Sequence, residues 1–325
     1  MGGNYNKALI YLISLSVVFS CQENQNPIQN NGVYIAGWNY TTVKYWGNGN
    51  DASLGSGRGL SIALSGQDIY ISGYEQSSLG PRATYWKNKR PVRLTDGSKT
   101  SMAKSIALSG ADVYVAGYEG FFAMLWKNGT GTPLNNVGDA EANGIAISGM
   151  DIYVAGAGRE SAIKPFVAKY WKNGVSVELS HGSNNAFATS IAIDGTDIYV
   201  AGYELGIAKY WKNCKEIQLT NGLNEARAYA VSISANDVYI AGYEKIGNTM
   251  NAKYWKNGVP IVLSDGTVNE TATAIAVSGH DVYVAGIEYK FNGYASYAKY
   301  WKNGSSVDLT DRKYDSEANS IALDF

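Results

Sequence analysis

Eight residues stand where chemistry could be done: Arg58, Lys104, Glu141, Asn143, Arg227, Tyr229, Glu317 and Asn319. Each lies one or three residues ahead of a recurring phrase of the type "SIALSG". The residue immediately before that phrase changes from copy to copy: Leu60, Lys104, Asn143, Thr189, Tyr229, Thr273 and Asn319. The residue before it is always small: Gly59, Ala103, Ala142, Ala188, Ala228, Ala272 and Ala318. Variation inside a constant frame marks these positions as candidate ligand contacts. Cations, carboxylates, amides and a phenol suit hydrogen bonding to a glycan or a protein surface. Glycoside hydrolysis would require two acids, such as Glu141 and Glu317, to face each other across roughly 5–10 Å. Acids on different repeats could meet over a central channel, but the sequence alone does not show it, so binding is the first expectation and a lyase or hydrolase the alternative. The bland alternative is a set of solvated loop residues under no constraint.

Other chemistry is poorly provided for. The two histidines, His181 and His280, replace turn residues in different copies, so the converging His, Cys and carboxylate ligands of a transition-metal site are not expected. Asp96, Asp265 and Asp311 are lone acids beside turns, far from a ligand-dense calcium loop. No Ser/His/Asp arrangement is legible, and no Gly-rich loop follows a strand and opens a helix. The expectation is no metal and no cofactor. The 27 Lys and Arg against 28 Asp and Glu leave a formal charge of −1. Without a cationic cluster to release counterions, nucleic acid is not an expected partner.

The N-terminus carries a different signal. Lys7 precedes the apolar run "ALIYLISLSVVF" at 8–19, too short for the ~20 residues that span a bilayer but suited to a signal segment. "VFSC" follows and resembles the lipobox of bacterial lipoproteins, in which the cysteine, here Cys21, becomes the acylated first residue. An ordinary secretory signal is the alternative. Residues 1–20 then read as a signal peptide and 21–31, with "QENQNPIQNN", as a flexible tether. Glu23 follows the cysteine closely, as in Bacteroidetes-type lipoproteins exported to the surface. The expected location is the outer membrane or cell surface, with the lipid as the sole membrane contact. Cys214 takes the place of Gly in a turn and is read as unpaired.

These side chains must be positioned by the repeats that make up the rest of the chain. Four short phrases recur: A ("SIALSG"), B ("VYVAG"), C ("AKYW") and D ("VRLTDG"). Each is rich in β-branched or aromatic residues and bounded by Gly, Asn or Asp, the signature of strands. "AKYWKNG" itself occurs unchanged at 168–174, 252–258 and 298–304. No stretch of 32–325 shows sustained helical periodicity. Repeats of ~40–50 residues with four antiparallel strands match propeller blades. The reading is an all-β, seven-bladed β-propeller over 32–325, closed by strand 320–325 pairing with strand 33–37. An open solenoid is the runner-up and would want capping repeats.

Each copy also carries one Trp and one Gly with no evident chemistry. The tryptophans are Trp46, Trp86, Trp126, Trp171, Trp211, Trp255 and Trp301. The glycines are Gly37, Gly73, Gly117, Gly156, Gly202, Gly242 and Gly286. The residues between Gly and Trp number 8, 12, 8, 14, 8, 12 and 14, always even. A hairpin that lengthens by whole cross-strand pairs keeps its faces. Symmetric folding places Gly202 opposite Trp211, with the indole covering bare backbone. It also sets Glu204, Glu244 and Glu288 opposite Lys209, Lys253 and Lys299 as cross-strand ion pairs. Asn39, Glu75, Glu119 and Gly158 are left without such a pair. The Trp and Gly are thus read as structural; a ring of sugar-stacking platforms is the alternative.

The run "DVYVAGYE", "AKYWKNG", "LTDG", "SIALSG" resembles a repeat of secreted proteins and lipoproteins in Bacteroidetes-like bacteria. The resemblance covers about 32–325. It implies a propeller and no established activity, so no catalytic residue is carried over. The function expected is a monomeric, lipid-anchored, non-enzymatic binding or scaffold module for a protein or glycan, with a multivalent lectin as a further alternative. The B–C and D–A connections vary most, so that face is the expected site.

Overall fold

The computed structural model describes residues 32–47, 51–290 and 295–324. Among these residues there are 27 strands and no helix. Residues 1–31, with the expected signal, tether and Cys21, lie outside the described residues. The strands form five four-stranded antiparallel sheets and one of seven strands. In the Trp211 repeat the order is A (Ala186–Asp194), B (Asp197–Glu204), C (Ile207–Lys212) and D (Lys215–Gln218). The seven-stranded sheet arises because the strand Ala52–Ser65 pairs at both its ends. Residues 52–56 act as D beside Thr42–Gly47, and 57–65 act as A beside Asp68–Ser77. The first repeat therefore runs from D to A without a loop. At its far edge Val33–Asn39 pairs with the C-terminal strand Ser316–Leu323, from Val33 opposite Leu323 to Asn39 opposite Ser316.

The hairpin register differs from the symmetric expectation. Gly202 lies opposite Lys209, and Trp211 lies opposite Val200. The reason is the turn: Leu205 and Gly206 both have positive φ, 52° and 73°, and make a two-residue loop of the type that twisted hairpins favour. That centres the hairpin half a residue pair earlier and slides the partners by two, which leaves every side chain on its face. Trp211 thus reaches Gly202 diagonally, its ring edge 2.9 Å from where a Cβ would stand. The Glu–Lys pairs are diagonal too. Lys209, Lys253 and Lys299 are buried, held by Glu204, Glu244 and Glu288 at 2.6–2.9 Å.

Glycine has a second reason to recur. A Cβ at Gly202 would fall 2.1 Å from the backbone oxygen of Phe187, and at Gly242 1.9 Å from that of Arg227. The same collision occurs in the other five copies. It is caused by a β-bulge in strand A, between Ala188 and Ser190 in the Trp211 repeat, which pushes the carbonyl toward strand B.

Neighbouring sheets pack face to face. Tyr153, Ala155, Ala168 and Tyr170 of one sheet meet Ile191, Val200 and Trp211 of the next. Alternation along each strand supplies one aromatic–small face and one branched–indole face. The recurring tryptophans are buried, none more than 3% exposed. Seven such clusters occur among the described residues; one joins Tyr283, Ala285 and Tyr300 to Ile35, Trp46 and Ile321, residues from opposite ends of the chain.

The A–B and C–D turns form one rim. Each C–D turn from the second repeat on places an Asn at positive φ, from Asn88 to Asn303. In the Trp211 repeat Asn213 Oδ1 accepts from Ile198 N–H at 2.9 Å, Asn213 Nδ2 donates to Asp197 at 2.8 Å, and Lys212 pairs with Asp197 at 2.7 Å. Lys212 also lies over the Tyr199 ring. The clasp recurs at Asp68, Asp112, Asp151, Asp237 and Asp281. Their Lys and Asn partners hold all six carboxyls below the usual aspartate range.

Candidate functional site

The bulges decide where the variable residues point. In every repeat the residue skipped by the ladder is the one that changes: Leu60, Lys104, Asn143, Thr189, Tyr229, Thr273 and Asn319. A bulge releases its residue from pairing and re-aims its side chain. Six of these repeats contribute to one cavity of about 430 Å³. Of the sequence candidates, Lys104, Glu141, Asn143, Tyr229 and Asn319 line it.

One wall of the cavity is polar. Lys104 Nζ donates to Glu141 Oε2 at 2.7 Å and to Asn143 Oδ1 at 2.8 Å. Phe187, Tyr203, Tyr229 and Tyr289 supply aromatic surface to the lining, with Thr189, Thr271 and Thr273 among them. Phe187 and Tyr203 stack with centroids 5.4 Å apart. Burial pushes the Tyr229 phenol up to about 12 and raises Tyr203 and Tyr289 as well. These tyrosines are therefore neutral donors at physiological pH. Among the described residues Glu141 is the one carboxylate on the cavity wall.

The remaining candidates lie elsewhere. Arg58 stacks on Trp38 at 4.1 Å, and Glu317 accepts from Trp38 Nε1 at 2.9 Å, so these three form a cluster of their own. Glu141 and Glu317 do not share the cavity. Arg227 lies over Tyr203 at 4.8 Å and lines an adjoining groove with Phe187 and Leu223. Two cavity residues also have a structural task. Asn143 donates to Ala188 O at 3.0 Å and Asn319 to Gly59 O at 2.9 Å, each tying one sheet to the next. Thr189 and Thr273 make the same tie, to Ala228 O at 2.9 Å and Ala318 O at 2.6 Å. Lys104 reaches the next sheet through the Glu141 and Asn143 side chains instead.

Of the aromatic lining the sequence candidates include Tyr229 and omit Phe187, Tyr203 and Tyr289. Phe187 sits two residues before a bulge, like Glu141 and Arg227. Tyr203 pairs directly with Phe187. The parity of strand B already placed Tyr203 on the face of that position, which is the signal that could have found it. Glu75, read as lacking a pair, is held instead by Arg82 at 2.9 Å and Arg93 at 2.9 Å, which keep its carboxyl low.

The same face carries exposed apolar residues on its hairpin tips. Tyr40, Leu79, Phe121, Ile163, Leu205 and Ile246 are 55–91% exposed, one on each of the six fully described B–C connections. Tyr40 and Leu205 even adopt positive φ, 61° and 52°, where Asn or Gly costs less. Among the described residues no three His, Cys, Asp or Glu side chains gather as a metal would need. Cys214 is free and exposed, at φ 65° in its turn.

No family model matches the sequence, and no curated protein does. Among solved structures the chain is similar to the Pyrococcus horikoshii acylaminoacyl peptidase, with a TM-score of 0.52 and 13% identity over 86% of this chain. This chain spans about 50% of that protein's length. It is also similar to YjhT, at TM-score 0.43 and 11% identity over 71% of this chain and 94% of that one. A protein described as TolB from Agrobacterium tumefaciens gives 0.42 and 10%, over 90% and 99%. The likeness concerns fold alone: an all-β chain of antiparallel sheets with propeller-type neighbours.

Proposed function

We propose that the chain is a seven-bladed β-propeller, closed by Ser316–Leu323 on Val33–Asn39, that binds a glycan non-enzymatically through the central cavity. The observation that carries this reading is the convergence of Lys104, Glu141, Asn143 and Tyr229, from three repeats, on one cavity. Closure is supported by the pairing of the two terminal strands and by the cluster that joins Trp46 to Tyr300. A cavity of about 430 Å³ has the size of a small-ligand site and is too narrow for a protein surface. Aromatic and polar side chains lining one cavity match a sugar ring, which is apolar on its faces and hydroxylated at its edge. Catalysis by paired acids finds less support, since Glu141 is alone on the wall and engaged by Lys104.

In this reading Cys21 carries the lipid and residues 21–31 are the tether, at most roughly 36–40 Å when extended. Strand B enters at Val33 from the rim of the A–B and C–D turns. The cavity then faces away from the membrane, toward the medium.

A glycan array followed by calorimetry tests the site. Saturable binding without product, lost in Tyr229→Ala, supports it. Product release moves the protein to the enzymes, and silence across the array moves the partner to protein. For the anchor, Cys21→Ser should shift the chain from the detergent phase to the aqueous phase in a cloud-point separation; retention in detergent overturns lipidation.

A further inference from the structure

Two repeats keep the lysine and lack the acid that their relatives use: Asn39 stands at the acid's position beside Lys44, and Gly158 stands there beside Lys169. In the Trp211, Trp255 and Trp301 repeats, a glutamate on strand B holds the lysine two residues before the Trp. The distances are 2.9 Å for Glu204–Lys209, 2.6 Å for Glu244–Lys253 and 2.8 Å for Glu288–Lys299. In the Trp171 repeat the lysine remains as Lys169, but the acid's position is Gly158. Lys169 is left with Glu178, which is 3.7 Å away and 65% exposed. The space beside them is a cavity of about 390 Å³, lined by Gly158, Arg159, Lys164, Lys169, Trp171 and Glu178 among others. Arg159 is neutralised within this wall by a two-pronged contact with Asp139 at 2.8 and 2.6 Å. Lys164 and Glu160 on the same wall are exposed to solvent, whereas Lys169 is mostly shielded and its acid stands 3.7 Å away.

We infer that this cavity, built where Gly158 replaces glutamate beside Lys169, is a binding site for a carboxylate supplied by a ligand. An incoming carboxylate takes the place that Glu204 takes beside Lys209, and a half-buried ammonium gains the close partner its counterparts have. Gly158 itself does not need to be glycine for its backbone: its φ is not positive, and a Cβ there would meet Ala140 Cβ at 3.1 Å and Lys169 Cε at 3.6 Å. A glutamate there requires Ala140 to give by a few tenths of an ångström, and Gly158 leaves the space beside Lys169 open. The carboxylate can belong to an acidic sugar or to a free small acid. The site shares no residue with the central cavity.

The test is thermal denaturation and calorimetry of the full chain with acetate, D-glucuronate or sulfate at fixed pH and ionic strength. Acetate and glucuronate should raise the melting temperature saturably. Binding of glucuronate at least tenfold tighter than acetate assigns an acidic sugar; equal binding assigns a free carboxylate. Gly158→Glu should melt higher than the parent without ligand and lose at least tenfold in affinity, because the chain supplies its own acid. Lys169→Met should lose the response while remaining folded, which covers the case of a Gly158→Glu chain that does not fold. Tyr229→Ala should keep the full response, separating this site from the central one. No response to either carboxylate, an equal response to sulfate, or a Lys169→Met chain that responds like the parent each overturns the assignment.

Discussion

The two rims of the sheets are built from the same repeat and obey different rules. On the rim of A–B and C–D turns, six copies keep one clasp of Asp, Tyr, Lys and Asn, with Asn at the left-handed position. On the opposite rim the hairpins differ in length, and the exposed tips carry Tyr40, Leu79, Phe121, Ile163, Leu205 and Ile246. A turn that only has to close a hairpin takes the residues that twist demands. A turn whose length and sequence change from copy to copy is under no common rule of that kind, and Leu205 stands there in a backbone region that disfavours it. The comparison teaches that one rim repeats a single clasp in six copies, while the other varies in length and content around the same strands.

The comparison can be broken first at the body both rims share. Trp211→Ala removes a fully buried indole and should destabilise by roughly 3–5 kcal/mol in chemical denaturation; a variant as stable as the parent would mean that the rims, not the packed sheets, carry the fold. On the supporting rim, Asn257→Ala loses two hydrogen bonds and forces alanine to a φ of 52°. That should cost about 1–2 kcal/mol, and a neutral result would deprive the clasp of its role.

Acid should act on the same rim. The six clasp aspartates have carboxyls held low by Lys and Asn, so the unfolded chain takes up their protons first. Their stabilising contribution is full above the ordinary aspartate value of 3.8 and is lost as pH falls below it through the depressed folded values. Melting temperature should drop steeply below about pH 4, and Asp197→Asn should flatten that drop. The smallest effect sharpens the contrast most. Leu205→Asn should stabilise by roughly 0.5 kcal/mol, since Asn tolerates the left-handed turn. Loss of stability would show that Leu205 serves the fold.

Much of this was open to reading from the chain alone. Alternation and turn residues announce the strands, and the even Gly-to-Trp counts announce that faces are kept. The register was not open to it, because a two-residue turn at Leu205-Gly206 rather than a symmetric tip slides all partners by two. The bulge was hidden as well. Its only trace was the small residue ahead of each variable one, and its consequence, a carbonyl pressed against Gly202, requires strand A to be in place. Glu75 shows the same limit, since its cation comes from Arg82 and Arg93 rather than from the Lys position of its own repeat.

By itself the sequence determined the repeating unit, its four strands, the parity of every face and the seven positions free to vary, because these follow from local alternation and turn chemistry. Tertiary structure alone decided that Lys104, Glu141, Asn143 and Tyr229 share a cavity while Arg58 and Glu317 do not, and that Gly158 leaves Lys169 beside empty space. Those facts depend on how separate sheets are set against each other, a geometry fixed by packing between residues far apart in the chain.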